Sequence, residues 1–177
     1  MDVDRDTARE TAFAAWMQGA QPRLLRTAYL LCGDPHTAED LTQTALAKIY
    51  LAWHRLHDRD DLGGYARRVL VNEHVSLWRR ARRHREVVTD SPPEQAGEDR
   101  HYDGAEEALW ERLSVLGRKQ RAVVVLRFYE QLSVAEVARV LGVSEGTVKS
   151  QCSRALATLR GELATAGTWT QEESWTR

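Results

Sequence analysis

Apolar positions along the chain recur at helical spacing, and no stretch alternates as a strand would. The pattern predicts a helix from about Ala8 to Met17 carrying Ala12, Phe13 and Trp16 on one face. A second follows from Pro22 to Cys32, with Pro22 at a first helical position and Gly33 as its terminator. Asp34-Pro35 reads as an N-cap followed by a first-turn proline. Leu41, Ala45, Ile49 and Trp53 then form an apolar stripe at spacings of four, so Trp53 is expected to pack inside. A polar loop from His54 to Asp61 separates this third helix from a fourth, Leu62 to about Arg83.

The second half has sharper punctuation. Gly117 to Tyr129 is amphipathic, with Val123, Val124, Leu126 and Phe128 as its apolar positions. Ser133-Val134-Ala135-Glu136 is a capping box, and its helix presents Val134, Val137, Ala138 and Leu141 before stopping at Gly142. Ser144 can cap a last helix with Val148, Cys152, Ala155, Leu156 and Leu159 on one face. A short helix, a glycine turn and a second helix form a helix-turn-helix pattern. The expected fold is all-α, in two small helical domains.

Composition locates the join. The 177 residues are 42% hydrophobic and 29% charged, which suits a folded chain. The net charge of −1 conceals a division. Arg67, Arg68, Arg79, Arg80, Arg82, Arg83 and Arg85 are opposed only by Glu73, and an acidic stretch from Glu86 to Glu107 follows directly. That stretch holds Ser91-Pro92-Pro93, Gly97 and Gly104 and reads as an acidic flexible linker. The boundaries expected are 8–85, a linker at 86–104, a second domain at 105–164 and a tail at 165–177, with Trp169 and Trp175 unexplained in it. Cys32 and Cys152 fit no metal or disulfide pattern and are expected as buried, inert thiols. No cofactor is implied. No apolar run reaches membrane-spanning length and the start lacks a basic signal flank, so a cytoplasmic location without membrane insertion is expected.

At 100° per residue, Gly146, Thr147, Ser150, Ser153 and Arg154 lie opposite the apolar face of the last helix, flanked by Lys149 and Gln151. Small hydrogen-bonding residues with two cations suit a helix that enters a major groove. Gly146 permits close approach, and the hydroxyls reach phosphates or base edges. The helix start at Ser144 adds attraction for phosphate.

The stretch from Leu132 to Leu156 resembles the promoter-reading region of the extracytoplasmic-function sigma factors, which belong to the sigma-70 family, and in particular its actinobacterial SigE-like members. There it binds the minus-thirty-five element. LuxR-type regulators share a similar motif, but Gly33 to Thr44, containing Ala38-Glu39-Asp40-Leu41-Thr42-Gln43, also resembles the sigma segment that docks on the β′ clamp helices of RNA polymerase. The resemblance implies that Glu39, Asp40 and Gln43 touch polymerase, with Leu41 in the local core. Tyr65 to Asn72, followed by Trp78 to Arg83, resembles the segment that recognises and melts the minus-ten element. It implies a pocket for a flipped promoter base from Asn72 and the Leu56–Asp61 loop, including His57. Trp78 and the cations Arg79, Arg80, Arg82 and Arg83 would meet the strand.

Three departures stand out. Tyr65-Ala66 replaces the usual Trp-Leu, leaving open whether Tyr65 and Trp78 stack on DNA or pack, Ser76 stands where aspartate is frequent, and Gln151 replaces a common arginine. The resemblance spans about Ala8 to Leu163 and implies a non-catalytic initiation subunit. Its partners would be core polymerase (the β′ clamp helices and β flap), promoter DNA and, often in this family, an anti-sigma factor. The alternatives are a LuxR-like or other helix-turn-helix regulator acting without a sigma role, and a DNA-free interaction protein. A third is a metal enzyme built from His54, His57, Asp58, Asp60, Asp61, Glu73 and His74.

Overall fold

The computed structural model describes residues 2–56, 61–85 and 104–165, all helical apart from short turns. Helix α1 spans Asp2–Cys32, α2 Pro35–Leu56 and α3 Leu62–Arg85. The second half comprises α4 (Gly104–Ser114), α5 (Arg118–Val124), a π-helical turn (Val125–Tyr129), α6 (Val134–Leu141) and α7 (Glu145–Thr165). The linker expected at 86–104 lies outside the described residues except for Gly104, which opens α4, and the tail tryptophans lie outside them as well.

One expectation is corrected at the start of the chain. Pro22 lies inside a single continuous helix rather than opening a second one. Proline forfeits one i→i−4 bond. The segment around it, from Gln21 to Arg23, is exposed, so water can serve the carbonyl left over. Burial on both sides outweighs that local loss. Phe13 and Trp16 pack before the proline, and Leu24, Ala28 and Tyr29 pack after it.

Helix α1 also begins earlier than expected, at Asp2, and α2 runs on to Leu56 through the start of the loop expected from His54. Other helix ends follow their sequence signals. Gly33 at φ +75° ends α1, its N–H donating to the Tyr29 carbonyl at 2.7 Å. Asp34 caps α2 by accepting from the Thr37 N–H at 2.6 Å. Partial burial pushes the Asp34 carboxyl up, but these Thr37 hydrogen bonds outweigh it and hold the group below its ordinary range. Asp61 caps α3 by accepting from the Gly64 N–H at 2.7 Å.

Helices α1, α2 and α3 pack around Leu24, Ala28, Leu41, Ala45, Ile49, Trp53, Ala66 and Leu70. Trp53 is 4% exposed, held edge-on by Phe13 at 5.3 Å between ring centroids and tilted against Trp16 at 5.4 Å. Lys48 pairs with Glu73 at 2.5 Å and ties α2 to α3. Tyr65, one of the two undecided rings, packs against this core.

In the second half the capping box is complete. Ser133 Oγ accepts from the Glu136 N–H at 3.2 Å, and the Glu136 carboxylate accepts from the Ser133 N–H at 2.7 Å. Gly142 adopts φ +65°, and the Val143 N–H returns to the Ala138 carbonyl at 3.0 Å, closing α6. Ser133→Ala removes one cap and is expected to cost about 1 kcal/mol of stability. Urea denaturation followed by circular dichroism measures it.

The amphipathic stretch after Gly117 differs from expectation in its last turn. The Glu130 N–H bonds to the Val125 carbonyl, an i→i+5 step, and Phe128 turns outward, 52% exposed. The wider turn directs Val125 and Leu126 inward and carries Glu130 toward the N-terminal half. Gln131 then reverses the chain at φ 56°.

Candidate polymerase and nucleic-acid interface

The two halves pack on one another. Leu30 and Leu31 of α1 and Val71 of α3 are buried in the same cluster as Val123, Val125, Leu126, Val137 and Val148. Four polar and aromatic contacts pin this join. Arg67 Nε meets Glu130 Oε2 at 2.5 Å, while the Thr27 hydroxyl donates to the other oxygen of Glu130. Arg26 Nε meets Glu106 at 2.5 Å. The Trp110 ring lies against the Gly33 backbone, where an added Cβ would stand 1.7 Å from it. Only glycine fits that close approach, in addition to its positive φ. Within the C-terminal half, Arg121 lies over the same Trp110 ring, 4.4 Å from its centroid.

Nothing in the sequence marked Arg67, Glu130, Thr27 or Trp110 as partners. Thr27 and Glu130 are 103 positions apart. A carboxylate after Phe128-Tyr129 reads as surface until a second domain covers it.

The candidate recognition helix is held by its apolar side. Val148 and Ala155 are fully buried, and Cys152 and Leu159 pack beside them. Ser144, Gly146, Thr147, Lys149, Ser150, Ser153 and Arg154 are exposed and Gln151 is half-buried. Ser144 Oγ accepts from the Thr147 N–H at 3.1 Å, fixing the start of α7.

The candidate polymerase face is built in the same way. Ala38, Leu41, Thr42 and Ala45 face the core, which leaves Asp40 and Gln43 exposed and Glu39 half-buried on the outer side of α2. On α3, Asn72, Arg79 and Arg80 are exposed and Trp78 is half-buried with Lys119 Nζ 5.8 Å from its centroid. Arg82 and Arg83 lie on the last turns of α3. His57 is outside the described residues.

Leu56 requires a correction. It is 3% exposed and belongs to the core, so its side chain is not presented to DNA. An apolar residue at the end of α2 continues the stripe begun by Leu41.

The residues weighed for a metal site serve separate ends. Asp61 caps α3, Glu73 pairs with Lys48, and His74 faces the join between the halves. Among the described residues no group of three potential metal ligands comes together. Of the two thiols, both half-buried, burial pushes Cys32 up to about 11, well away from a reactive thiolate.

His74 is 9% exposed, and its Nδ1 has no hydrogen-bond partner among the described residues. Burial, then the neighbouring charges of Arg118 and Arg121, lowers it to about 4. A hydrated imidazole titrates near 6.5. Between these values the unfolded chain binds the extra proton, so stability falls as pH drops from 6.5 toward 4. Acidification from pH 7 to pH 5 is therefore expected to cost about 2 kcal/mol through this group. His74→Gln removes that part of the slope, as urea titrations of both proteins at the two pH values would show.

Comparison with known proteins decides what the two halves are. Residues 16–84 match the family model for sigma-70 region 2, and residues 106–159 match that for sigma-70 region 4. The chain is 46% identical over 152 residues to the RNA polymerase sigma-E factor of Streptomyces coelicolor, covering 85% of each chain. This chain is an extracytoplasmic-function sigma factor of the sigma-70 family. It is also 34% identical to the extracytoplasmic-function sigma factor SigL of Mycobacterium tuberculosis, covering 81% of this chain and 84% of that one.

Among solved structures, the fold is similar to the sigma factor RpoE of Bartonella quintana, crystallised with the anti-sigma factor NepR. The TM-score is 0.65 at 24% identity, over 86% of this chain and 96% of that one. CnrH, solved with the cytosolic domain of CnrY, matches at a TM-score of 0.60 and 24% identity, over 88% and 90%. As a sigma factor, the protein binds core RNA polymerase and directs promoter recognition and transcription initiation, and nothing favours a stand-alone regulator. The family is one of initiation factors, not of enzymes. No helix among the described residues is long and apolar enough to cross a membrane.

Proposed function

We propose that the sigma activity is divided between the outer faces of α2, α3 and α7. Glu39, Asp40 and Gln43 dock on basic groups of the β′ clamp helices. Asn72, Trp78, Arg79, Arg80, Arg82 and Arg83 engage the minus-ten strand, with His57 completing a pocket for a flipped base. Ser144, Gly146, Thr147, Lys149, Ser150, Gln151, Ser153 and Arg154 read the minus-thirty-five element while the C-terminal half sits on the β flap. The supporting observation is α7 itself, whose polar face is open along its length while Val148 and Ala155 are fully buried behind it.

The units of function are residues 8–85 and 105–164, joined by the acidic segment 86–104. The protein works in the cytoplasm, without catalysis of its own. Both solved relatives named above are held by partners, one of them an anti-sigma factor. An anti-sigma factor is accordingly the inhibitor expected for this chain.

The closed arrangement is a resting state. Promoter elements roughly 25 base pairs apart lie about 85 Å from one another along B-form DNA. A compact unit of this length has a radius of gyration of about 16 Å and is too small to reach both. Core polymerase must therefore part the halves, after which both modules act in tandem.

The experiment is a pair of titrations. Asp40→Ala is expected to weaken binding to core polymerase about tenfold, a loss typical of one charged interface contact. Lys149→Ala and Arg154→Ala should leave core binding unchanged and each lower the salt slope of holoenzyme–promoter binding by about 1. Full core affinity in Asp40→Ala, with unaltered slopes in the other two, would refute this assignment.

A further inference from the structure

Between the halves lies an open cleft of about 690 Å³, floored by Val75, Val123 and Leu141. Trp78 forms an aromatic wall, and Arg79, Arg118 and Lys119 supply three cations. No acidic side chain lines it among the described residues. The near-buried His74 contributes an imidazole to the same wall. The size is that of a small-molecule site, where apolar walls bury the ligand and a few polar groups orient it.

From the meeting of an apolar floor, an indole wall and three cations unopposed by an acid, we propose that this cleft binds a planar aromatic anion of about mononucleotide size. The rings lie between Trp78 and the floor. The anionic group meets Arg118 and Lys119, and Lys119 Nζ already stands 5.8 Å from the indole centroid.

Such a ligand touches α3 on one side and α5 and the turn before α7 on the other, so the intact site exists only when the halves are closed. A ligand that binds one state alone shifts the equilibrium toward it. Thr147 and Gln151 of α7 also line the cleft, as do Trp78 and Arg79 of α3. These four belong to the proposed promoter-reading set, so the ligand holds the protein closed and occupies groups that DNA requires. It acts as a small-molecule inhibitor of promoter engagement. That last consequence rests on the function proposed above, but the binding site does not.

The test is a fluorescence titration of the full chain, without polymerase or DNA, using anilinonaphthalene sulfonate as the aromatic anion. Phenylnaphthylamine, with closely similar rings and no charge, is the control. One saturable site per chain is expected, with the uncharged probe about tenfold weaker, equivalent to about 1.4 kcal/mol. Arg118 and Lys119 are exposed, so their joint replacement by alanine should leave the fold intact and weaken the sulfonate about tenfold. Glu130→Ala, which loosens the join, should weaken it as well.

Displacement of the probe by guanosine monophosphate would assign the site to nucleotides, and displacement by anthranilate to aryl carboxylates. Equal binding of charged and uncharged probes, or wild-type affinity in the double variant, would overturn the proposal. Because neither arm involves a promoter, failure here leaves the assignment of DNA contacts untouched, and failure of that assignment leaves the titration intact.

Discussion

Glu130→Ala is expected to part the two halves of the free protein. The Glu130 side chain is 8% exposed, and its carboxylate serves Arg67 from α3 and Thr27 from α1 at once. Removing it leaves the largely covered Arg67 guanidinium without its acceptor in the closed state. Losing one partner of a buried pair costs about 3 kcal/mol. When the halves separate, water takes over that role, so the penalty falls on the closed form alone. The ratio of open to closed molecules should rise roughly a hundredfold.

Small-angle scattering would show the radius of gyration rising clearly above the roughly 16 Å of a compact chain of this length. The same variant should bind core polymerase more tightly, because less of the protein must first be opened. A wild-type radius would show that the apolar contacts of Leu30, Leu31 and Val71 hold the join without the ion pair.

Trp53→Ala carries the second large effect. The indole is the hub of an aromatic group with Phe13 and Trp16, and it closes the core between α1, α2 and α3. Truncating a buried tryptophan costs about 3–5 kcal/mol through lost burial and the cavity left behind. For a chain of this length each kcal/mol lowers the melting temperature by about 2–4 °C, so a fall of about 10 °C is expected in calorimetry. The minus-ten functions should fail before the helix-turn-helix does, since Trp53 belongs to the N-terminal core and Val148 to the other.

The elements most legible in the sequence were those fixed by local chemistry. The Ser133 capping box, the Gly142 stop and the Asp34 cap each depend on groups within four or five residues, and each stands where the pattern put it. The stripe through Leu41, Ala45, Ile49 and Trp53 is buried for the same reason. Its spacing is a property of one helix.

Long-range packing was the hidden part. Pro22 announced a helix start, yet burial on both sides of it carried α1 through. Leu56 resembled a pocket residue by its place in the family pattern and proved to be core. The outward turn of Phe128 follows from one extra residue in a helical turn, which no periodicity announces. The join was the least legible feature. Gly33 signalled a helix end, and its second duty, admitting Trp110, depends on a residue far along the chain.

As a sigma factor this chain confers promoter recognition on core polymerase, and we propose that it does so through two separately placed faces. Run-off transcription with purified bacterial core enzyme over a promoter library tests it most directly. Specific transcripts are expected only when the protein is added. They should disappear with Asp40→Ala and become selective for a different upstream element when Gln151 is changed to arginine. Sequence-specific DNA binding with no transcript and no association with core polymerase would contradict it.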